Sequence, residues 1–85
     1  VEPVSRPTPV SVGRAIRELR YECGISQEEL AYRSGLDRSY TGGIERAERN
    51  ASLRSLLKVA DGLDVPLSRI FALAEELAAP APDDP

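Results

Sequence analysis

In the stretch LDRSYTGGIERAERN, residues 36–50, hydrogen-bonding side chains crowd together. Arg38, Arg46 and Arg49 bring guanidinium forks, Ser39 and Tyr40 hydroxyls, and Asn50 an amide. Such a set donates to acceptor-rich or anionic partners, and arginine does so in a planar, bidentate fashion. The rest of the chain offers little covalent chemistry. It has no histidine and a single cysteine, Cys23, so neither a zinc site nor a Cys/His nucleophile pair can be built from it. Phosphate-cradling glycine motifs and paired carboxylates are also missing, and the reading is a non-enzyme with no cofactor and no metal. One oddity stands in the middle of the stretch. Gly42 and Gly43 are adjacent in what otherwise reads as a helix, where each costs about 1 kcal/mol relative to alanine.

The elements that must position these groups read as helices. The 85 residues suffice for one small domain with one core. No apolar run approaches the roughly 20 residues a bilayer requires, and the proline-rich start lacks a secretory signal's apolar stretch. A chain opening on Val1 reads as trimmed, and one cysteine without a disulfide partner fits a reducing cytoplasm. Prolines at 3, 7 and 9 predict a flexible arm over residues 1–10, and PAPDDP an acidic, flexible tail over 79–85, leaving 11–78 as the folded domain. Within it the first helix is expected from about Val12 to Cys23, with Gly24 as its stop. The second follows the capping box of Ser26 and Glu29, and Asp37 caps the third. The fourth begins after Ser52 with the stripe Leu53, Leu56, Leu57, Ala60 and Leu63 and is expected to break at Gly62. Pro66 opens the fifth, whose Leu67, Ile70, Phe71, Ala74 and Leu77 share a face.

Segments two and three form a pair with a glycine-containing tight turn between them. Ala31 is small at the crossing, Gly35 permits the turn's positive φ, and Leu36 and Ile44 plug the core between the helices. This is the helix-turn-helix arrangement, in which the second helix enters the DNA major groove. Residues 12–71 resemble the Cro/CI-type (Xre) helix-turn-helix transcriptional regulators, through SQEELA, SGLDRSY, GIER and LLKVADGLDV. LAYRSGLDRSYTGGIERAERN is most similar to the restriction–modification controller proteins of that family. The implied fold is all-α, a compact five-helix, lambda-repressor-like DNA-binding domain.

The resemblance implies roles for particular residues. Gln27 would meet a phosphate at the start of the second helix, a location that favours anions; a solvated cap is the other reading of it. Arg38, Ser39 and Gly42 would lie on the exposed side of the recognition helix, with Arg38 placed to reach guanine O6 and N7. Tyr40 would serve DNA contact or packing. Gly43 would allow close approach to neighbours or to the DNA backbone. Arg46, Arg49 and Asn50 would contact phosphates, with Arg33 a weaker candidate of that kind. Glu45 would be repelled by DNA, and the resemblance pairs it with Arg20 in a shielded ion pair. The fifth helix, through Leu67, Ile70, Phe71, Ala74 and Leu77, would join part of the fourth in a homodimer, spacing two recognition helices for a near-palindromic operator.

The expected function is therefore a cytoplasmic bacterial or phage regulator, a homodimer on double-stranded operator DNA with no membrane partner. Two other readings stay open: an antitoxin-type DNA-binding partner of a toxin, and a protein-interaction module that has lost DNA binding. The net charge of −3 favours the last. However, residues 1–50 hold eight basic and eight acidic side chains, so the excess acid lies in residues 51–85. Thr41, where a branched aliphatic residue is common, and Gly42, where a polar side chain is common, depart from the family pattern.

Overall fold

The computed structural model describes residues 6–78, which form five α-helices and, among the described residues, no strand. They are α1 (Pro9–Cys23), α2 (Gln27–Ser34), α3 (Arg38–Glu45), α4 (Leu53–Leu63) and α5 (Leu67–Ala78). Each of α2, α3 and α4 starts where a small polar residue in extended conformation accepts a backbone N–H: Ser26 from Glu29, Asp37 from Tyr40 and Ser52 from Ser55. The reciprocal half of the Ser26 box is absent, because the Glu29 carboxylate pairs with Arg33 one turn on, at 2.9 Å.

The first helix begins earlier than the prolines suggest. Thr8 caps it, Pro9 occupies its first turn, and Thr8 and Ser11 exchange hydrogen bonds of 2.8 and 3.1 Å in a capping box. Proline is well tolerated at that position, since its missing N–H has no intrahelical partner there. Residues 9 and 10 thus belong to α1 rather than to an arm; residues 1–5 and the 79–85 tail lie outside the described residues. The end of α4 also differs from expectation. Gly62 is buried inside the helix, where a Cβ would run into Ser34 Oγ, so its role is to let α4 approach α2. The helix stops instead at Asp64, in left-handed conformation with φ 58°.

The core lies around α1, which packs against α3, α4 and above all α5. Ala15, Ile16 and Leu19 of α1 meet Leu30, Ile44, Leu56, Val59, Leu63, Ile70 and Ala74. At the α1–α3 crossing a Cβ on Gly13 would stand 2.5 Å from the Glu45 carbonyl oxygen and 2.6 Å from that of Ile44. The two backbones approach as closely as they do only because residue 13 has no side chain. Among the described residues, no helix is long and apolar enough to cross a membrane.

Candidate nucleic-acid interface

The α2–α3 turn is built from local chemistry. Gly35 adopts φ 67°, and Leu36 N–H donates 2.9 Å back to the Ala31 carbonyl, closing the end of α2. Asp37 then opens α3 at once. Leu30, Ala31 and Ile44 are buried between the helices, and Thr41 is 1% exposed, its hydroxyl donating 2.9 Å to the Asp37 carbonyl. That bond removes the cost of burying a polar group where an aliphatic side chain would also fit. With this inner face filled, Arg38 and Ser39 stand exposed on the first turn of α3.

Glu45 organises the side of α3 that faces α1 and α2. Its carboxylate is fully buried and accepts a bidentate pair from Arg20, Nε to Oε2 at 2.7 Å and Nη2 to Oε1 at 3.0 Å. Arg20 also donates to the Ile25 carbonyl at 3.1 Å, and its guanidinium lies 4.8 Å from the centre of the Tyr21 ring. The Glu45 hydrogen bond, working against burial, raises the Arg20 pKa above its ordinary value. Two further donors reach the same carboxylate: Gln27 Nε2 at 3.0 Å and Arg17 Nε at 3.6 Å. One buried negative charge therefore ties α1, α2 and α3 together and is withheld from the surface.

Several positions differ from those the sequence suggests. Gln27 is half-buried and its amide is engaged with Glu45, which leaves its place at the start of α2 but orients its side chain inward. Tyr40 takes the packing role that was one of its two expected roles: its hydroxyl lies 3.2 Å from both the Asn50 carbonyl and Ser55 Oγ, strapping α3 to the start of α4. Gly42 is buried and forms no open groove-facing surface, whereas Gly43, also buried, allows the close approach of a neighbour that was expected of it. Side chains of Gln27 and Arg46 lie over Gly42, and the Arg49 stem lies over Gly43. The second of these follows from the way α3 ends. Ala47 takes φ 59°, and the N–H groups of Glu48 and Arg49 fold back to the Gly43 carbonyl at 2.8 and 3.2 Å. Arg46, Arg49 and Asn50 are exposed on this loop, Arg46 in a surface pair with Glu48 at 2.9 Å. Arg33 is taken up by Glu29 on the exposed side of α2.

The expected dimer residues are also redistributed. Ile70 and Ala74 are 0% exposed within one chain and belong to its core, so they are not available to a second copy. Leu67, Phe71 and Leu77 are half-buried, whereas Leu53 and Leu57 of α4 are 64% and 50% exposed. Two residues of α1, Arg17 and Gly13, also serve this site without standing out in the sequence. Arg17 stands three residues before Arg20, one helical turn away on the same face, and that spacing was the available signal. Gly13 carried none, since a close backbone crossing depends on a partner distant in sequence.

Residues 16–70, most of the helical core and the whole α2–α3 unit, match the helix-turn-helix family. The chain belongs to that family, in its Xre, Cro/CI-type form. Among relatives of this helix-turn-helix protein is the control protein C.MunI of a Mycoplasma species, 38% identical over 79% of this chain and 92% of the relative. The crystal structure of the restriction–modification controller protein C.AhdI from Aeromonas hydrophila is 52% identical, covers 74% of this chain and 96% of its own, and superposes with a TM-score of 0.73. The controller protein C.Esp1396I, solved as a tetramer on its natural 35 base-pair operator, is 40% identical over 80% of this chain and 90% of its own, with a TM-score of 0.75. The helix-turn-helix family comprises regulatory DNA-binding proteins rather than enzymes.

Proposed function

We propose that this chain is a sequence-specific, DNA-binding transcriptional regulator that occupies near-palindromic operator DNA as a homodimer, with α3 in the major groove. The observation that carries the reading is the pairing of two facts about α3. Its inner face is fully used in packing on α1 and α2, while Arg38 and Ser39 project from its first turn with no ion pair among the described residues. A guanidinium in that place can read guanine, and Arg46, Arg49 and Asn50 on the following loop supply phosphate contacts that hold the helix in register. The acid that gives the chain its negative balance lies in residues 51–85, outside α3, and Glu45, the one carboxylate within α3, is buried and paired. The operator complex of C.Esp1396I supports the same mode of action. A regulator of this kind works in the cytoplasm, where its DNA is.

The homodimer contact falls to apolar surface on α4 and α5 that one chain leaves uncovered, chiefly Leu53 and Leu57 with the half-buried Phe71 and Leu77. The function is tested by binding to a duplex carrying the chain's own upstream promoter, against random duplex, over a salt series. Specific binding with affinity falling steeply in salt is expected. Arg38→Ala should lose about 1–3 kcal/mol of discrimination between the two duplexes, as one bidentate base contact is worth, without changing the melting temperature. No binding to either duplex at any salt concentration would leave the interaction-module reading in its place.

A further inference from the structure

Gly42 looks like a gap in the recognition helix, and the structure shows that two neighbours occupy the gap. An ideal Cβ at this position would stand 3.0 Å from Arg46 Nη1 and 3.2 Å from Gln27 Oε1. An arginine fork and an amide oxygen therefore both rest over a residue that has no side chain. The polarity of the arrangement follows from its inner end. A carboxylate only accepts, so Gln27 must present its NH2 to Glu45, as the 3.0 Å Nε2–Oε1 bond records. That choice turns the amide oxygen, an acceptor, toward the Gly42 side, where the guanidinium lies. Glu45 is itself fixed by two bonds from Arg20. Arg20 and Gln27 thus both donate to Glu45, and the amide oxygen left over faces the seat that Arg46 shares.

We propose that Gly42 is a positioning residue for DNA binding: its missing side chain leaves the space in which the Gln27 amide and the Arg46 guanidinium both lie over α3, and that seat aims the guanidinium at a DNA phosphate. The proposal rests on the DNA-binding reading above. Glu48 holds Arg46, its Oε1 accepting from Nε at 2.9 Å, while the arginine side chain remains 48% exposed. Five N–H donors leave several free for a phosphate after these contacts. A methyl group at position 42 would push the far end of a flexible side chain, which moves at little cost to the fold. It would also add helix propensity at a buried helical position. The effect of filling the seat should therefore appear in binding and not as lost stability.

The experiment compares wild type, Gly42→Ala, Arg46→Ala and the double variant. Each is titrated against the chain's own upstream promoter duplex by fluorescence anisotropy over a salt series, with melting temperatures alongside. Gly42→Ala is expected to weaken binding about tenfold, the size of one charge-assisted hydrogen bond, and to flatten the salt slope by about one. Its melting temperature should not fall below that of wild type. Arg46→Ala should do the same to binding, and the double variant should be no weaker than Arg46→Ala alone. Gln27 is the only glutamine in the chain and Asn50 the only asparagine, so the side-chain NH2 resonances of the free, nitrogen-15-labelled protein are assignable by elimination. Those of Gln27 should move in Gly42→Ala. Three results overturn the proposal alone: Gly42→Ala binding as wild type does, Gly42→Ala weakening the Arg46→Ala background as much as the wild type, or unmoved Gln27 resonances. A wild type that binds no duplex overturns the DNA-binding reading and this proposal with it.

Discussion

Glu45 shows how one residue can serve stability by keeping its charge away from the partner. Its carboxylate is fully buried, and Arg20, Gln27 and Arg17 all approach it. Glu45→Ala would leave the Arg20 guanidinium buried and unpaired, and a loss of about 3–5 kcal/mol in unfolding free energy is expected from denaturant melts. Unchanged stability with tighter DNA binding would show instead that Glu45 acts as a surface charge. The pH dependence follows from the direction of the Arg20 shift. A base whose folded-state pKa is raised contributes stability that is complete below its unfolded value and is lost only as pH rises through the folded one. For Arg20 that window lies beyond the ordinary arginine range, so this pair should cause no alkaline loss of stability at working pH. At the same scale, the Arg20–Glu45 partnership was legible through family resemblance, whereas the Gln27–Glu45 bond was not. Both readings of Gln27 made from sequence, phosphate ligand and solvated cap, look outward, and only the fold brings α2 and α3 close enough for it to turn in.

Among the elements, helix existence was readable from caps and periodicity, and the misreadings have a common physical origin. From sequence alone Pro9 and Gly62 read as breakers, since local propensity disfavours both within helices. Pro9 stands at the one turn where a missing N–H is harmless, and Gly62 is kept inside α4 by its contact with α2. Gly42 and Gly43 likewise needed tertiary knowledge, because what covers them are side chains of α2 and of the loop after α3. The Gly62 contact also leaves a mark on its partner. Ser34 Oγ, pressed against Gly62, is a buried side-chain oxygen without a hydrogen-bond partner. Ser34→Ala removes an unsatisfied hydroxyl at almost constant shape, and it should be neutral or stabilise the protein by up to about 1–3 kcal/mol in thermal or denaturant melts. A clear destabilisation would mean that the hydroxyl finds a partner in solution.

For the whole molecule, the question is how much apolar surface a single chain leaves uncovered. Ile70 and Ala74 close its own core, and the large apolar side chains left exposed on α4 are Leu53 and Leu57. Leu53→Ser combined with Leu57→Ser should leave the monomer folded, since both side chains are at least half exposed, and should shift sedimentation toward a single chain. Operator affinity should then fall while Arg38-dependent discrimination per half-site survives, because two linked sites bind far more tightly than one. A dimer unaffected by both changes would place the contact on α5 alone.

The α1–α3 crossing at Gly13 has a consequence for how this protein tolerates mutation. A methyl group there would meet two carbonyl oxygens of α3 that belong to rigid backbone. Gly13→Ala should cost about 1–3 kcal/mol by overpacking, measured by thermal melting, or else tilt α3 away from α1. In either case a genetic screen for lost repression or activation would return a position that touches no nucleic acid at all. The bare patch on α1 works as a gauge block: it sets the seating depth of the helix that reads, and any residue larger than hydrogen at that spot resets the gauge.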